Sequence, residues 1–439
     1  MNSYVDKMIR LILSSFSDFR IGFIRGHSYI SDNDVSSLRA LLNYCENSSE
    51  IKNEFEKRFA GLIGSGSGVS FAAGRMAFFV LMKALGIGKG DEVILPGFTC
   101  SVMPNAVWRT GAMPVFSDID TDTFGSDAKT IKSKITERTK MIVVQHSFGI
   151  PCNIHPIIEV AKKHNIFVME DCAITLDSSV DGTTVGNWGD AAMFSTDHSK
   201  PLNTIIGGFL YTKDISLYKK IKEFELLLPE LDELHQKRLF DQFVFERKYL
   251  IPSRYSKAIT VSYLKKAIKT AFPFKSSTFL DADGARESST GKEYPYPAKM
   301  PVFLAELGLM ELKRWENEKR RRKDILKRYL ELSEKTAISN YLPKAYFDAS
   351  FDITPLRFTY RHPDPLHHLK LMARYVDIDW IWFKEPVICC SKGLDDIGYL
   401  TGSCELSERV TGDIINWPCV IEEGWEPGFF EFFKTVLNN

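Results

Sequence analysis

Ile166–Thr212 reads IFVMEDCAITLDSSVDGTTVGNWGDAAMFSTDHSKPLNTIIGGFLYT, and the fold turns on how this stretch is parsed. The apolar run Ile166-Phe167-Val168-Met169 ends in two carboxylates, Glu170 and Asp171. Such a run fits a buried strand of a parallel sheet, and open α/β sheets bind ligands at the carboxyl ends of their strands. A second apolar run, Ala191–Phe194, leads into Ser195-Thr196-Asp197-His198-Ser199-Lys200. A third, Ile205–Tyr211, carries Gly207-Gly208 and returns to the sheet. An acid, a hydroxyl and a lysine therefore fall at neighbouring strand ends. Any one of them alone is ordinary; their order is not. Together they suit a cofactor that needs a ring nitrogen paired, a phosphate held and an aldehyde captured, the three demands of pyridoxal phosphate.

Outward from this stretch the alternation continues, with a strand over Lys140–Val144 and a helix over Ile157–His164. Repeated βαβ alternation implies a mostly parallel sheet. Upstream, Gly64–Gly74 (GSGSGVSFAAG) runs into the helical pattern Arg75–Leu81. Backbone N–H groups at such a helix start hold anions, helped by the helix dipole. No G-K-[ST] follows, so this is not a Walker A loop.

Three further segments carry a resemblance. Ala84–Pro96 reads ALGIGKGDEVILP, Ala112–Asp120 reads AMPVFSDID, and Gly189–Lys200 reads GDAAMFSTDHSK. With Val168–Ile174 (VMEDCAI), these resemble the DegT/StrS-like family of nucleotide-sugar aminotransferases, which are fold-type-I pyridoxal phosphate enzymes. The likeness extends more weakly to Tyr296–Leu312 and Ser403–Cys419. It implies an α/β fold: a large domain with a mostly parallel, seven-stranded-type sheet flanked by helices, plus a small α+β C-terminal domain. The implied boundaries are 1–54 for an N-terminal helical segment, 55–295 for the large domain with an insertion at about 214–290, and 296–439 for the small domain.

The resemblance also implies roles. Lys200 would bond the cofactor aldehyde, Asp171 would pair with its pyridine nitrogen, and Ser195 would contact its phosphate. Gly74-Arg75 stand where the family has a phosphate-binding Gly-Thr, a guanidinium replacing the hydroxyl. Pro297 and Lys299 stand where an asparagine and an arginine reach the neighbouring subunit's site, so a homodimer with shared sites is expected and only the charge of the second is kept. Cys100 occupies the place of the aromatic residue that stacks on the cofactor ring, leaving two alternatives: Phe98 substitutes, or the ring is less tightly held. Ile174 replaces a residue that contacts the ring hydroxyl. His146 is read as structural. His198 lies two before Lys200, so the chain does not match family dehydratases in which histidine replaces the lysine itself.

Composition narrows the partners. The chain has 439 residues, with 56 basic and 56 acidic side chains, which argues against nucleic acid and a membrane surface. The run KRRRK at 319–323 is interleaved with Glu316 and Glu318 and reads as a solvated helix face. No apolar run approaches the roughly 20 residues of a membrane span, and Met8–Phe16 reads as a helix packed on the protein. The eight cysteines, with no CxxC pair, suit reduced thiols in a cytoplasmic protein, and no metal site is expected. Glu223–Phe245 and Tyr263–Thr270 look helical, and Phe272–Gly291 reads as loop. The function expected is transfer of an amino group, from glutamate in most relatives, to a nucleotide-linked keto-sugar for polysaccharide or lipopolysaccharide synthesis. The rivals are a sugar dehydratase of the same fold and a non-catalytic homologue that binds a nucleotide sugar or a partner.

Overall fold

A computed structural model describes residues 20–42, 48–260 and 294–438. The expected helices at Met8–Phe16 and Tyr263–Thr270, and the loop at Phe272–Gly291, lie outside the described residues.

Residues 20–30 run without helix, and Ile21 bridges Val376. Helices α1 (Asp32–Ala40) and α2 (Ser48–Ile63) follow, then strand β1 (Ser67–Phe71) and helix α3 (Gly74–Ala84). Next come β2 (Glu92–Pro96), α4 (Val102–Thr110), β3 (Met113–Ser117), α5 (Ala128–Lys134), β4 (Thr139–Gln145), α6 (His155–His164) and β5 (Phe167–Asp171). Strands β6 (Ala191–Ser195) and β7 (Gly208–Thr212) complete a seven-stranded sheet of order β1-β7-β6-β5-β4-β2-β3. Only β7 runs against the others. The strands are buried almost throughout, because helices cover both faces and leave no polar side to alternate with.

Chain chemistry sets the element ends. The Asp127 carboxylate caps α5 by accepting from Thr130 N–H at 2.8 Å, and α6 stops at Asn165 in the left-handed conformation. The helix expected over Glu223–Phe245 is two helices, α7 (Ile215–Leu226) and α8 (Glu233–Tyr249). The break falls around Pro229, which has no N–H to continue a helix and whose carbonyl accepts from Lys299 N–H at 3.0 Å. Asp232 then caps α8.

Beyond the undescribed segment, α9 (Val302–Ser333) spans 32 residues. Its first half buries Phe303, Leu307 and Trp315 in one core with Phe55 and Phe59 of α2. Its second half enters another core with β8 (Arg357–Arg361), α10 (Pro365–Met372), α11 (Glu405–Asp413), β9 (Ile414–Pro418) and α12 (Glu426–Leu437). That core is aromatic: Tyr329 stacks on Phe358 with ring centres 4.6 Å apart, and Trp417 meets Phe433 edge-on at 4.8 Å. The basic run at 319–323 is not a solvated face. Lys319 pairs with Asp177 at 2.8 Å, Arg321 with Glu426 at 2.7 Å and Lys323 with Asp352 at 2.6 Å, while Arg322 is buried against Glu318. Asp177, Asp352 and Glu426 lie on three other segments, pairings that helical spacing alone cannot reveal.

Candidate active site

Strand register brings the candidate residues to one edge of the sheet. Gln145 pairs with Asp171, Asp171 with Met193, Ser195 with Gly208, and Gly208 with Phe71. These positions close the carboxyl ends of the parallel strands. Gly208 allows helix α3 to sit there: a Cβ at this position would fall 2.3 Å from the Ala73 carbonyl carbon. No side chain caps the first turn of α3. A Cβ on Gly74 would lie 3.3 Å from the Ser195 Cβ, so the helix N-terminus and the Ser195 hydroxyl face one another closely. The Ser195 hydroxyl also accepts from Asp197 N–H at 3.3 Å.

Glu170 and Asp171 are adjacent and both buried, yet they differ in role. Glu170 accepts from three backbone N–H groups, those of Gly186 at 2.7 Å, Trp188 at 2.7 Å and Gly189 at 2.8 Å. It also meets His146 Nε2 at 3.0 Å. His146 Nδ1 accepts from Cys152 N–H at 3.0 Å, so its proton sits on Nε2 and is donated to Glu170. His146, Glu170 and Cys172 bring ligand-type atoms within 4.8 Å of one another. Hydrogen bonds already occupy the histidine and the carboxylate, so this group braces the sheet, as expected of His146. Asp171 instead accepts one N–H, from Ala173 at 2.9 Å. Burial pushes its carboxyl above the usual range, while the Ala173 N–H, Lys200 and His146 pull the other way. Among the described residues this buried acid forms no ion pair within salt-bridge distance.

Lys200 sits in the loop between β6 and β7, half-buried, with Nζ 4.6 Å from the centre of the Trp382 ring. The other cation on that ring is Arg357, whose guanidinium carbon is 3.6 Å away. Trp382 was not singled out from sequence, and in Trp380-Ile381-Trp382-Phe383 nothing marks which ring turns to the lysine. Phe98 does not substitute for the missing aromatic. It is fully buried, its ring stacked 3.8 Å from Phe383. Cys100 lies beside the Val387–Ile388 strand, and its thiol is pulled down to about 7, chiefly by a hydrogen bond with Cys389 and with help from Lys200 and Arg75. Ile174 is buried in the C-terminal core.

Arg75 Nη2 donates to the Tyr294 hydroxyl at 3.0 Å, and the Tyr296 hydroxyl donates to the Arg75 carbonyl at 3.1 Å. Lys299 forms a bridge with Phe71, and Ala72 N–H donates to the Ala298 carbonyl at 3.0 Å. The 294–300 segment is thus laid along the end of β1 next to α3. Gly74, Arg75, Asp171, Ser195, Lys200 and Lys299 all belong to this edge of the sheet or to segments packed on it. Trp382, which Lys200 meets, also lines a cavity of about 720 Å³ whose walls include His198, Phe245, Trp380 and Cys389.

The residues fit pyridoxal phosphate: an uncapped helix start with a hydroxyl for phosphate, a buried acid for a cationic ring nitrogen, and an amine in the loop after the hydroxyl. Comparison with known proteins agrees. Residues 31–233 match the model of the DegT/DnrJ/EryC1/StrS aminotransferase family. The chain is 37% identical over 190 residues to GDP-perosamine synthase of Escherichia coli, covering 42% of this chain and 52% of that protein. It is 39% identical over 168 residues to UDP-N-acetyl-3-dehydro-alpha-D-glucosamine 3-aminotransferase of Acidithiobacillus ferrooxidans, covering 38% and 46% respectively. The chain thus spans about half the length of the curated relatives it matches. A Streptococcus pneumoniae protein described as a sugar aminotransferase, solved in its PMP form, shares the fold with a TM-score of 0.66 at 20% identity, covering 95% of this chain and 98% of that one. The matched segment, 31–233, carries the sheet edge and Lys200.

Proposed function

We propose that this protein is a pyridoxal phosphate-dependent aminotransferase acting on a nucleotide-linked keto-sugar, with glutamate as the amino donor, in polysaccharide or lipopolysaccharide synthesis. The observation that carries the reading is the placement of Asp171, Ser195 and Lys200 on consecutive strand ends and the loop after them, against the start of α3. When bound, pyridoxal phosphate supplies an aldehyde for exchange of amino groups and a ring that draws electrons from the substrate carbon. The N–H groups at the start of α3 and the Ser195 hydroxyl would bind its phosphate, with Arg75 and Lys299 adding positive charge from the adjacent segments. The Asp171 carboxylate would hold a proton on the ring nitrogen, which offsets the cost of its own burial. Lys200 would hold the cofactor through Nζ and, once released, move protons at the reacting carbon. Trp382 would shield the amine from water on one side. The working unit is a cytoplasmic homodimer with shared sites, in which the small domain, 296–439, lends the first half of α9 to the core of the cofactor domain, 55–295.

The test is the visible absorption of the purified protein with pyridoxal phosphate, before and after glutamate. The expected result is a long-wavelength band that bleaches with glutamate and is missing in Lys200→Ala, whose turnover falls by at least about 10²–10⁴-fold. No band in the wild-type protein, or retained activity in Lys200→Ala, would overturn the assignment.

A further inference from the structure

Building on the reading of Lys200 as the cofactor lysine, we infer that Glu246 is a positioning residue, tying together from helix α8 both limbs of the loop that presents Lys200. The loop leaves β6 at Ser195 and enters β7 at Gly208. Its own bonds close the neck: Thr204 N–H donates to the Thr196 carbonyl at 2.8 Å, and His198 N–H donates to the Ile205 carbonyl at 3.0 Å. One residue opposes this closure. Ile205 is β-branched yet holds φ at +71°, a left-handed conformation that persists only where surrounding contacts enforce it.

Those contacts converge on Glu246. Asn203 Oδ1 accepts from Ile205 N–H at 2.8 Å, and Asn203 Nδ2 donates to Glu246 Oε2 at 2.9 Å. On the other limb, His198 Nδ1 meets Glu246 Oε1 at 2.9 Å. A single carboxylate, fully buried, therefore grips the residue two before Lys200 and the residue three after it. Glu246 is itself oriented by Gln242 Nε2, which donates at 2.9 Å, and His27 Nε2 lies 3.8 Å away. The Arg25 carbonyl takes a second bond from Asn203 at 3.0 Å. The brace lies beyond the family-matching segment 31–233, in the region read from sequence as an insertion. It gives that region a function: fixing the lysine's loop from outside the sheet.

The experiment uses the full-length protein as wild type, Glu246→Ala, Glu246→Gln and Asn203→Ala. Two quantities are read. Hydrogen–deuterium exchange follows the 196–206 peptide in the protein without added cofactor. Borohydride trapping at a limiting concentration of pyridoxal phosphate, with peptide mapping, follows labelling of Lys200. The expected result is at least tenfold faster exchange of 196–206 and at least fivefold less Lys200 labelling in Glu246→Ala, with sheet peptides unchanged. Glu246→Gln, which keeps an acceptor but not the charge, should fall between Ala and wild type. Asn203→Ala, which loosens one limb and leaves the helix intact, should reproduce the exchange effect if Glu246→Ala does not fold. A lower melting temperature with unchanged loop exchange and unchanged labelling would reduce Glu246 to a packing residue and overturn the inference. Failure of wild type to be labelled at Lys200 would sink the cofactor reading instead, and the exchange result would still decide the brace.

Discussion

Two regions meet at Lys200 and are built on different terms. The carboxyl edge of the sheet supplies Asp171, Ser195 and the start of α3 from strands paired in register within residues 67–212. The opposite wall is assembled from pieces remote in sequence: the 20–30 segment, α8, and residues 377–389 around Trp380 and Trp382. The edge is backbone-determined, because β pairing fixes which residues end side by side. The wall depends on charge. Arg25 meets Glu318 at 3.1 Å and Glu311 at 3.8 Å, His27 lies between Glu246 and Glu311, and Tyr29 bonds Glu311. A site can thus combine an edge set by strand pairing with a wall set by charge.

The largest effects are expected inside the edge itself. Asp171→Ala should weaken retention of pyridoxal phosphate by about 10²–10⁴-fold, the ~3–5 kcal/mol expected when a buried charge loses its partner. The melting temperature of the same variant without cofactor should hold or rise, because burial already works against that carboxylate. Glu170→Ala should do the reverse in urea unfolding, losing ~3–5 kcal/mol as three N–H groups and His146 are left without their acceptor. Equal losses of stability in the two variants would erase the distinction between the binding acid and the structural one.

A smaller effect separates the wall from the edge by pH. Burial disfavours charge on His198, but Asp197 and then Glu246 outweigh it and raise its pKa to about 9, with Lys200 acting in the opposite sense. A raised histidine contributes stability below its unfolded value of about 6.5 and loses that contribution as pH rises through about 9. Glu246 is held below the usual range: burial opposes this, but bonds and charge from His198 and His27 prevail, so its contribution is lost on acidification. The gap in melting temperature between wild type and Glu246→Gln should therefore be widest near pH 6 and close above about pH 9. A gap that widens with alkalinity would contradict the charged pair.

The smallest effect is chemical. With its pKa near 7, Cys100 should alkylate with iodoacetamide ahead of Cys389 and Cys390 at pH 7.5, although Cys389 is the more exposed. Peptide mapping at partial labelling reads the order. Cys389 reacting first would show that exposure, and not the hydrogen bond between the thiols, governs this face of the cavity.

Much of the edge was legible because its signals are local. The runs at 166–171 and 191–195 announce buried strands, the polar residues after them mark strand ends, and the glycine-rich run before α3 marks an anion-binding helix start. Errors arose where a local pattern met a distant partner. The 223–245 periodicity hid a break at Pro229, whose carbonyl is taken by Lys299, and the basic run at 319–323 looked solvated until Asp177, Asp352 and Glu426 closed on it. Phe98 was a candidate ring for the cofactor until the C-terminal core claimed it through Phe383.

Local signals in the chain carry the mostly parallel sheet, the neighbouring strand ends that bear the acid and the hydroxyl, and the lysine that follows them, because hydrophobic period and turn residues act over a few positions. Only the tertiary structure decided that Trp382 covers Lys200, that Arg75 meets Tyr294, and that Glu246 grips both limbs of the lysine's loop. Those partners lie from 43 to 219 positions apart, and what joins them is the need to satisfy buried charge and polar groups once the cores have packed.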